Sequence, residues 1–359
     1  MAIQVGFASD LNINVEEINN FYQTHWKRKI ALGDKRFYEW QFILPPANLF
    51  RDSCVIAIKG RTILGVMGLN RRSFKISGKI LKGAELTTWV VDETNKGGGA
   101  GAKILRYIMD EFDFLIGMGI TQDALPIYLR SGFRFLNAIP RFIRVMELDK
   151  MISLSIHEDY AKKVLRRQNI SSQDYDYKKT IWREEKSPPM VNGHHFSREL
   201  QDLIWRYDQH PYYDYFTYKI YIPNTPKRYV YVVLRHEITK DVRMLHVLDI
   251  LGYEQGYEIA INFVEKYAID NNFWAIDCYS TLSNLNKYFY KLGWLSAVDD
   301  IYINVPHLFH PLEVRTPPTT SLIFWSKEKS VEFFDTSNFY ITKQDADLDR
   351  PTMDFIRAL

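Results

Sequence analysis

The sequence predicts an α/β (α+β) fold made of two tandem copies of one unit, each a twisted mixed β-sheet flanked by helices. Two observations predict it. The order of apolar runs and turn signals in the first half recurs in the second, and a glycine-rich turn joins a strand to a helix in the first copy alone. A chain of 359 residues exceeds one typical domain and holds material for two cores.

In the first copy, helical spacing marks 15–22, and an aromatic segment follows at 37–46, ending on Pro45 and Pro46. Strand-like runs at 54–58 and 63–69 flank the turn 59–61. The apolar run 86–91 passes through polar 92–96 into the glycine turn, and a helical pattern covers 103–109. A strand at 113–118 and a helix beginning near Pro126 complete the unit, Pro126 suiting the first turn and Gly132 the C-cap. The second copy repeats the order: an amphipathic stretch at 196–207, aromatics at 212–215, strands at 229–234 and 242–250, a helix at 257–269, a strand at 274–278 and a helix at 285–291. Val90-Val91-Asp92 matches Val247-Leu248-Asp249, and 128–133 matches 289–294, at offsets of 157 and 161. The second copy has no glycine run, carries Glu254 where an anion would sit, and has Phe289 in place of Tyr128. The division is therefore 1–150 for the working domain, 151–195 for a charged linker with a helix near 160–167, and 196–359 for a degenerate copy.

Composition narrows the function. Cys54 and Cys278 are the only cysteines, too few for a disulfide framework. The first residues lack the basic and apolar regions of a signal peptide, and no apolar run approaches the ~18 residues of a membrane span. A cytoplasmic protein is expected. The net charge of +3 argues against a nucleic-acid groove or a polybasic membrane surface. Aromatic residues make up 15%, which suits either a stacking site or an aromatic core.

The turn Lys96-Gly97-Gly98-Gly99-Ala100-Gly101-Ala102 presents free backbone N–H groups on the positive end of a helix, the geometry that binds phosphate or pyrophosphate. A P-loop fails, because Ala102-Lys103-Ile104 follows where Lys-Ser/Thr is needed. Gly97, Gly99 and Ala102 satisfy a dinucleotide fingerprint, although five polar residues separate them from the strand. The third reading is the pyrophosphate loop of acetyl-CoA-dependent N-acyltransferases of the GNAT superfamily, with Lys96, Gly99 and Gly101 in its Arg/Gln-x-x-Gly-x-Gly/Ala pattern. A second segment resembles that family without a gap: Thr121, Ala124, Tyr128, Gly132 and Phe133 fill N-x-x-A-x-x-x-Y-x-x-x-G-F, Thr121 replacing Asn. Taken alone, this segment also reads as an amphipathic helix with Tyr128 in the core.

With its tandem arrangement, the chain resembles the two-domain GNAT N-acyltransferases that modify nucleotide-linked amino sugars in bacterial surface-polysaccharide pathways of the anthrose type. Segments 37–41, 205–211 and 345–351 carry that further likeness. The resemblance implies that coenzyme A, as acyl-CoA co-substrate, binds through Val90, Val91, Lys96, Gly97, Gly98, Gly99, Ala100, Gly101, Ala102 and Thr121. It gives Tyr128 the role of protonating the departing thiolate and leaves Asp92 and Glu93 as the nearest bases, Asp92 alternatively capping the turn. Substrate contacts fall to Trp40, His210, Asp345, Asp347 and Arg350, with a solvated acidic turn as the other reading of 345–349. The expected partner is a small-molecule dTDP- or UDP-linked amino sugar, without nucleic acid or membrane, and a homodimer is allowed. Asp345, Asp347 and Asp349 do not form a calcium loop, since Arg350 stands where glycine is needed. The nine histidines show no zinc spacing, so no metal is expected. Two rivals remain: a regulatory CoA-binding protein, and a tandem ligase of the peptidoglycan-bridge type using aminoacyl-tRNA.

Overall fold

Long runs rich in β-branched and aromatic residues pair here into two mixed sheets. The computed structural model describes residues 2–26, 30–95, 98–151, 159, 175–225, 227–239, 242–299, 305–309, 312–313, 318–346 and 349–359. The expected helix at 160–167 lies outside these residues. In the first sheet, β1 (Gln4–Phe7), β2 (Val55–Lys59), β3 (Thr62–Ile76) and β4 (Lys79–Val91) are antiparallel neighbours. Ser77 and Gly78, with φ of 47° and 79°, make the two-residue β3–β4 turn whose twist suits a hairpin. Next to β4 lies the parallel β5 (Phe114–Met118). One face of the sheet is covered by α1 (Val15–His25) and α2 (Lys35–Phe42), which bury Ile18, Tyr22, Phe37 and Phe42 against Val66 and Val90. The other is covered by α3 (Ala100–Glu111) and α4 (Leu125–Arg130), packed on Met67, Leu69 and Leu86. An Asn14–Glu17 capping box starts α1 and Asp34 caps α2.

The sheets exchange a strand. Beyond β5 the first sheet continues with β17 (Leu322–Ser326) and only then β6 (Arg134–Leu136). The second sheet runs β14 (Leu295–Ser296), β7 (Arg141–Val145), β13 (Ala275–Tyr279), β12 (Arg243–Gly252), β11 (Tyr229–Ile238), β10 (Tyr215–Tyr221) and β8 (Tyr177–Thr180), and β15 (Leu308–Phe309) and β16 (Leu312–Glu313) form a separate short antiparallel pair. Thus β7 from the first half fills in the second sheet the place that β17 fills in the first. Strands also form in and at the end of the charged linker: β8 pairs with β10 at the edge of the second sheet, and β9 (His194–Phe196) lies between β3 and β18 (Phe339–Tyr340). On the second sheet lie α5 (Tyr257–Asp270) and α6 (Ser283–Lys291).

Register fixes the repeat better than the sequence match did. The parallel pairs Gly83↔Phe114 and Leu86↔Gly117 have counterparts Met244↔Ala275 and Val247↔Cys278, each 161 residues later. Val247 therefore corresponds to Leu86, not Val90, while the 161 offset of Tyr128 and Phe289 holds. The halves are further joined by Trp40 and Trp205, stacked at 5.1 Å, each indole N–H donating to the other's carbonyl (3.0 and 2.8 Å).

Leu322, Ile323 and Phe324 of β17 are buried between β5 and β6, so a cut after residue 150 strips both of a partner. A 1–150 fragment should show no cooperative urea transition by circular dichroism, and a folded monomeric fragment would contradict the exchange.

Candidate active site

In each half the two parallel strands part. Pairing of β4 with β5 ends at Leu86↔Gly117, and β4 runs on through 87–91. At the parting, Thr87 and Thr88 face the single residue Gly68, a bulge between Met67↔Trp89 and Leu69↔Leu86. A Cβ on Gly68 would lie 2.4 Å from Phe42 Cζ and 2.6 Å from Thr87 Oγ1, so only glycine admits this packing.

The start of α3 faces the open end of β4. Gly99 is the N-cap at φ +79° and is exposed, with no side-chain cap. The first helical N–H groups, from Ala100 onward, therefore have no partner within the helix. A Cβ on Gly101 would meet Trp89 Cζ2 at 2.9 Å and Val91 Cγ2 at 3.2 Å. Gly101 thus lets the first helical turn lie on β4, and it is Trp89 that a larger side chain would strike there. Gly98 and Ala102 are exposed, Ala100 and Val90 buried, and Val91 half-buried; Lys96 and Gly97 lie outside the described residues. Tyr128, buried on α4, packs edge-on against Trp89 (5.3 Å) and Phe133 (5.1 Å). Burial pushes its phenol pKa up, so it stays protonated at physiological pH. Thr121 is exposed, its hydroxyl accepting from Ala124 N–H at 3.4 Å.

Asp92 closes a turn, accepting from Thr94 N–H and hydroxyl (2.9 Å each), with His25 at 3.9 Å. Glu93 beside it is exposed. On the opposite face of the sheet, between the halves, lies a cavity of about 20 Å³ lined by Trp40, Gln41, Asn70, Arg72, Gln344 and Arg350, among others. Arg350 reaches the bulge, donating to Thr88 Oγ1 at 2.9 Å. Asp345 is fully buried, held by Arg198 (2.8 Å) and Arg72 (3.1 Å). His210 accepts on Nδ1 from the N–H groups of Tyr212 (3.1 Å) and Tyr213 (2.8 Å), packed against Trp40 at 4.3 Å. Burial holds its pKa well below the usual range. Asp347 lies outside the described residues. Sequence reasoning missed Asn70, Arg72, Gln344 and Glu85, the last accepting from Asn70 Nδ2 at 2.7 Å. A glutamate inside the apolar run 84–86 was the one available signal.

In the second half the same opening is filled by the chain itself. Tyr340 donates its hydroxyl proton to Ile250 O (3.0 Å) and accepts from Ile250 N–H (2.9 Å), occupying the backbone beyond the last β12–β13 pair. Below it, Lys343 lies 3.2 Å from His246 Nδ1, which is 2.5 Å from Asp277 Oδ1. That nitrogen carries the proton of its bond to the carboxylate, and burial lowers the pKa of Lys343 to about 8, so its amine gives up its proton in the mildly alkaline range. The unfolded chain holds this proton up to the ordinary value of 10.5, so stability rises with pH through that interval. The unfolding free energy of the natural protein should gain about 2 kcal/mol over Lys343→Met between pH 7.5 and 9.5. Equal pH slopes for the two proteins in urea titrations would refute the lowered lysine pKa.

Neither a protein-family model nor a curated protein sequence matches the chain. Solved structures do. A GCN5-related N-acetyltransferase from Anabaena variabilis ATCC 29413 superposes with a TM-score of 0.54 at 11% identity, covering 90% of this chain and 72% of that one. An Enterococcus faecalis V583 protein of unknown function, described as a probable N-acyltransferase, gives 0.55 at 8% identity, covering 90% and 72%. A GCN5-related N-acetyltransferase from Kribbella flavida gives 0.50 at 11%, covering 90% and 70%. With its parted parallel strands, two mixed sheets and flanking helices, the chain has the fold of the GCN5-related N-acetyltransferases in tandem form.

Proposed function

We propose that this chain is an acyl-CoA-dependent N-acyltransferase whose first half alone holds the cofactor. One contrast carries the reading: the β4–β5 opening has a glycine-capped helix N-terminus and a buried tyrosine beside it, whereas the β12–β13 opening is occupied by Tyr340. Pyrophosphate binds the unpaired N–H groups of α3, assisted by Lys96. Pantetheine lies along 87–91, with Val90 and Val91 supplying backbone. The activity named for the Anabaena variabilis structure agrees.

The acceptor enters from the other sheet face, through the cleft between the halves. Its amine nitrogen attacks the thioester carbonyl, the carbon–sulfur bond breaks, and Tyr128 protonates the departing thiolate. Glu85, on the acceptor face beside Asn70, takes the amine proton; Asp92, engaged with Thr94, serves the turn. The acceptor is the amine of a dTDP- or UDP-linked amino-deoxy sugar, a reading supported by the sequence resemblance and by the aromatic wall of Trp40 and Trp205.

Calorimetry should find one CoA site per chain, and Gly99→Val should weaken it at least about tenfold by forcing a β-branched residue into a left-handed cap. Two sites, or unchanged affinity, would refute the assignment. Tyr128→Phe should lower kcat roughly 10²-fold with near-normal CoA affinity, read by thiol release with acetyl-CoA and an amino-sugar panel; an unchanged kcat returns Tyr128 to a packing role.

A further inference from the structure

The cavity between the halves has an unusual inventory. Gln41, Asn70, Arg72 and Gln344 line it, and each is at least nine-tenths buried with one polar atom lacking a hydrogen-bond partner among the described residues. The four atoms are Gln41 Oε1, Asn70 Oδ1, Arg72 Nε and Gln344 Nε2. Partners fix two of the three amides: Asn70 Nδ2 donates to Glu85 at 2.7 Å, and Gln344 Oε1 accepts from Arg72 Nη1 at 2.7 Å. One acceptor (Asn70 Oδ1) and two donors (Arg72 Nε and Gln344 Nε2) thus remain around one space, with one end of the Gln41 amide beside them. Buried polar groups are rarely left unpaired, and a single oxygen bearing hydrogen, with lone pairs for two donors and hydrogen for an acceptor, suits this set. The volume of about 20 Å³ admits one such oxygen and little more.

Arg350 at the rim aside, the charges in and behind the wall are matched. Arg72 and Arg198 pair with Asp345 (3.1 and 2.8 Å), and Arg198 also with Asp249 (3.1 Å). Arg206 and Arg235 pair with Asp349 (2.9 and 2.8 Å), and Arg235 also with Glu237 (2.7 Å). Four arginines face four carboxylates, so an anion that passed Arg350 at the rim and entered the cavity would have to break a buried ion pair to gain one of these cations.

We propose that this cavity is the specificity subsite of the acceptor: it seats one uncharged hydroxyl of the substrate, or a water in its place, and excludes phosphate. The inference rests on the acyltransferase reading for the identity of the acceptor. A nucleotide-linked substrate accordingly keeps its phosphates outside the cavity, on the side of Arg350, which is half-buried at the rim.

Two arms test it. Crystals grown in 100 mM phosphate should show a single oxygen bonded to at least three of the four named atoms, and a phosphate there, or a collapsed cavity whose side chains bond one another, overturns the subsite. In the kinetic arm, glucosamine is compared with cyclohexylamine, the same ring size without hydroxyls, at saturating acetyl-CoA. Gln41→Leu should narrow the preference for glucosamine about tenfold or more while CoA affinity stays within twofold, and Gln344→Leu serves as the second variant should the first fail to fold. An unchanged preference in a folded variant refutes the hydroxyl role. If no amine releases thiol, the acyltransferase reading falls and the crystal arm alone judges the cavity.

Discussion

Residues 339–346 and 349–350 are held by charge. Arg198 stands fully buried between Asp249 of β12 and Asp345, while Arg72 of β3 reaches the same Asp345. One carboxylate thus ties together a strand of each sheet. Burying such ions gains little by itself, because their desolvation offsets their attraction, but removing one partner leaves an unpaired charge and costs about 3–5 kcal/mol. The network therefore acts as a constraint on position more than as a source of stability. It sets Gln344 against the first sheet and lets Arg350 reach Thr88. Both the filled opening of the second half and the acceptor face of the first depend on this one strap.

Duplication supplies the material for that arrangement. The two halves keep the same parted strands in register, 161 residues apart, yet put them to different uses. His246 stands where the first half has Glu85, and Asp277 where it has Ile116. Polar residues placed in the core of the second opening draw in Lys343, and Tyr340 takes the backbone groups that an extended ligand would need. The second copy has exchanged a ligand groove for an anchor.

What the sequence disclosed was local. The glycine turn and the helix of Tyr128 rest on residues a few positions apart, where spacing maps directly onto geometry, and the repeat is a recurrence of such local patterns. The position of β17 was not legible, because Leu322–Ser326 is an apolar run that fits either sheet, and only tertiary pairing with Phe114–Met118 decides. Nor was the cavity: Arg72 and Gln344 are 272 residues apart, and glutamine in a short turn carries no pattern of its own. Asp345 and Asp349 stood out as acidic residues, but their arginines come from strands and turns more than a hundred positions away. The 157 offset misplaced Asp249, since a short apolar-apolar-Asp match fits at more than one position along a strand, and only the pairing with the next strand selects the 161 offset.

The exchanged strand also bears on how the protein is made. Leu136 of β6 leaves the ribosome 186 residues before Leu322 of the strand it pairs with. At about 5–20 residues per second, the first sheet waits roughly 10–40 s with β5 and β6 unjoined. During that interval, two apolar edges are open to pairing with a neighbouring nascent chain. Such long-range closure also places this fold among slow folders. Yield in a cell thus depends on what shields those edges during synthesis, as well as on the stability of the finished protein.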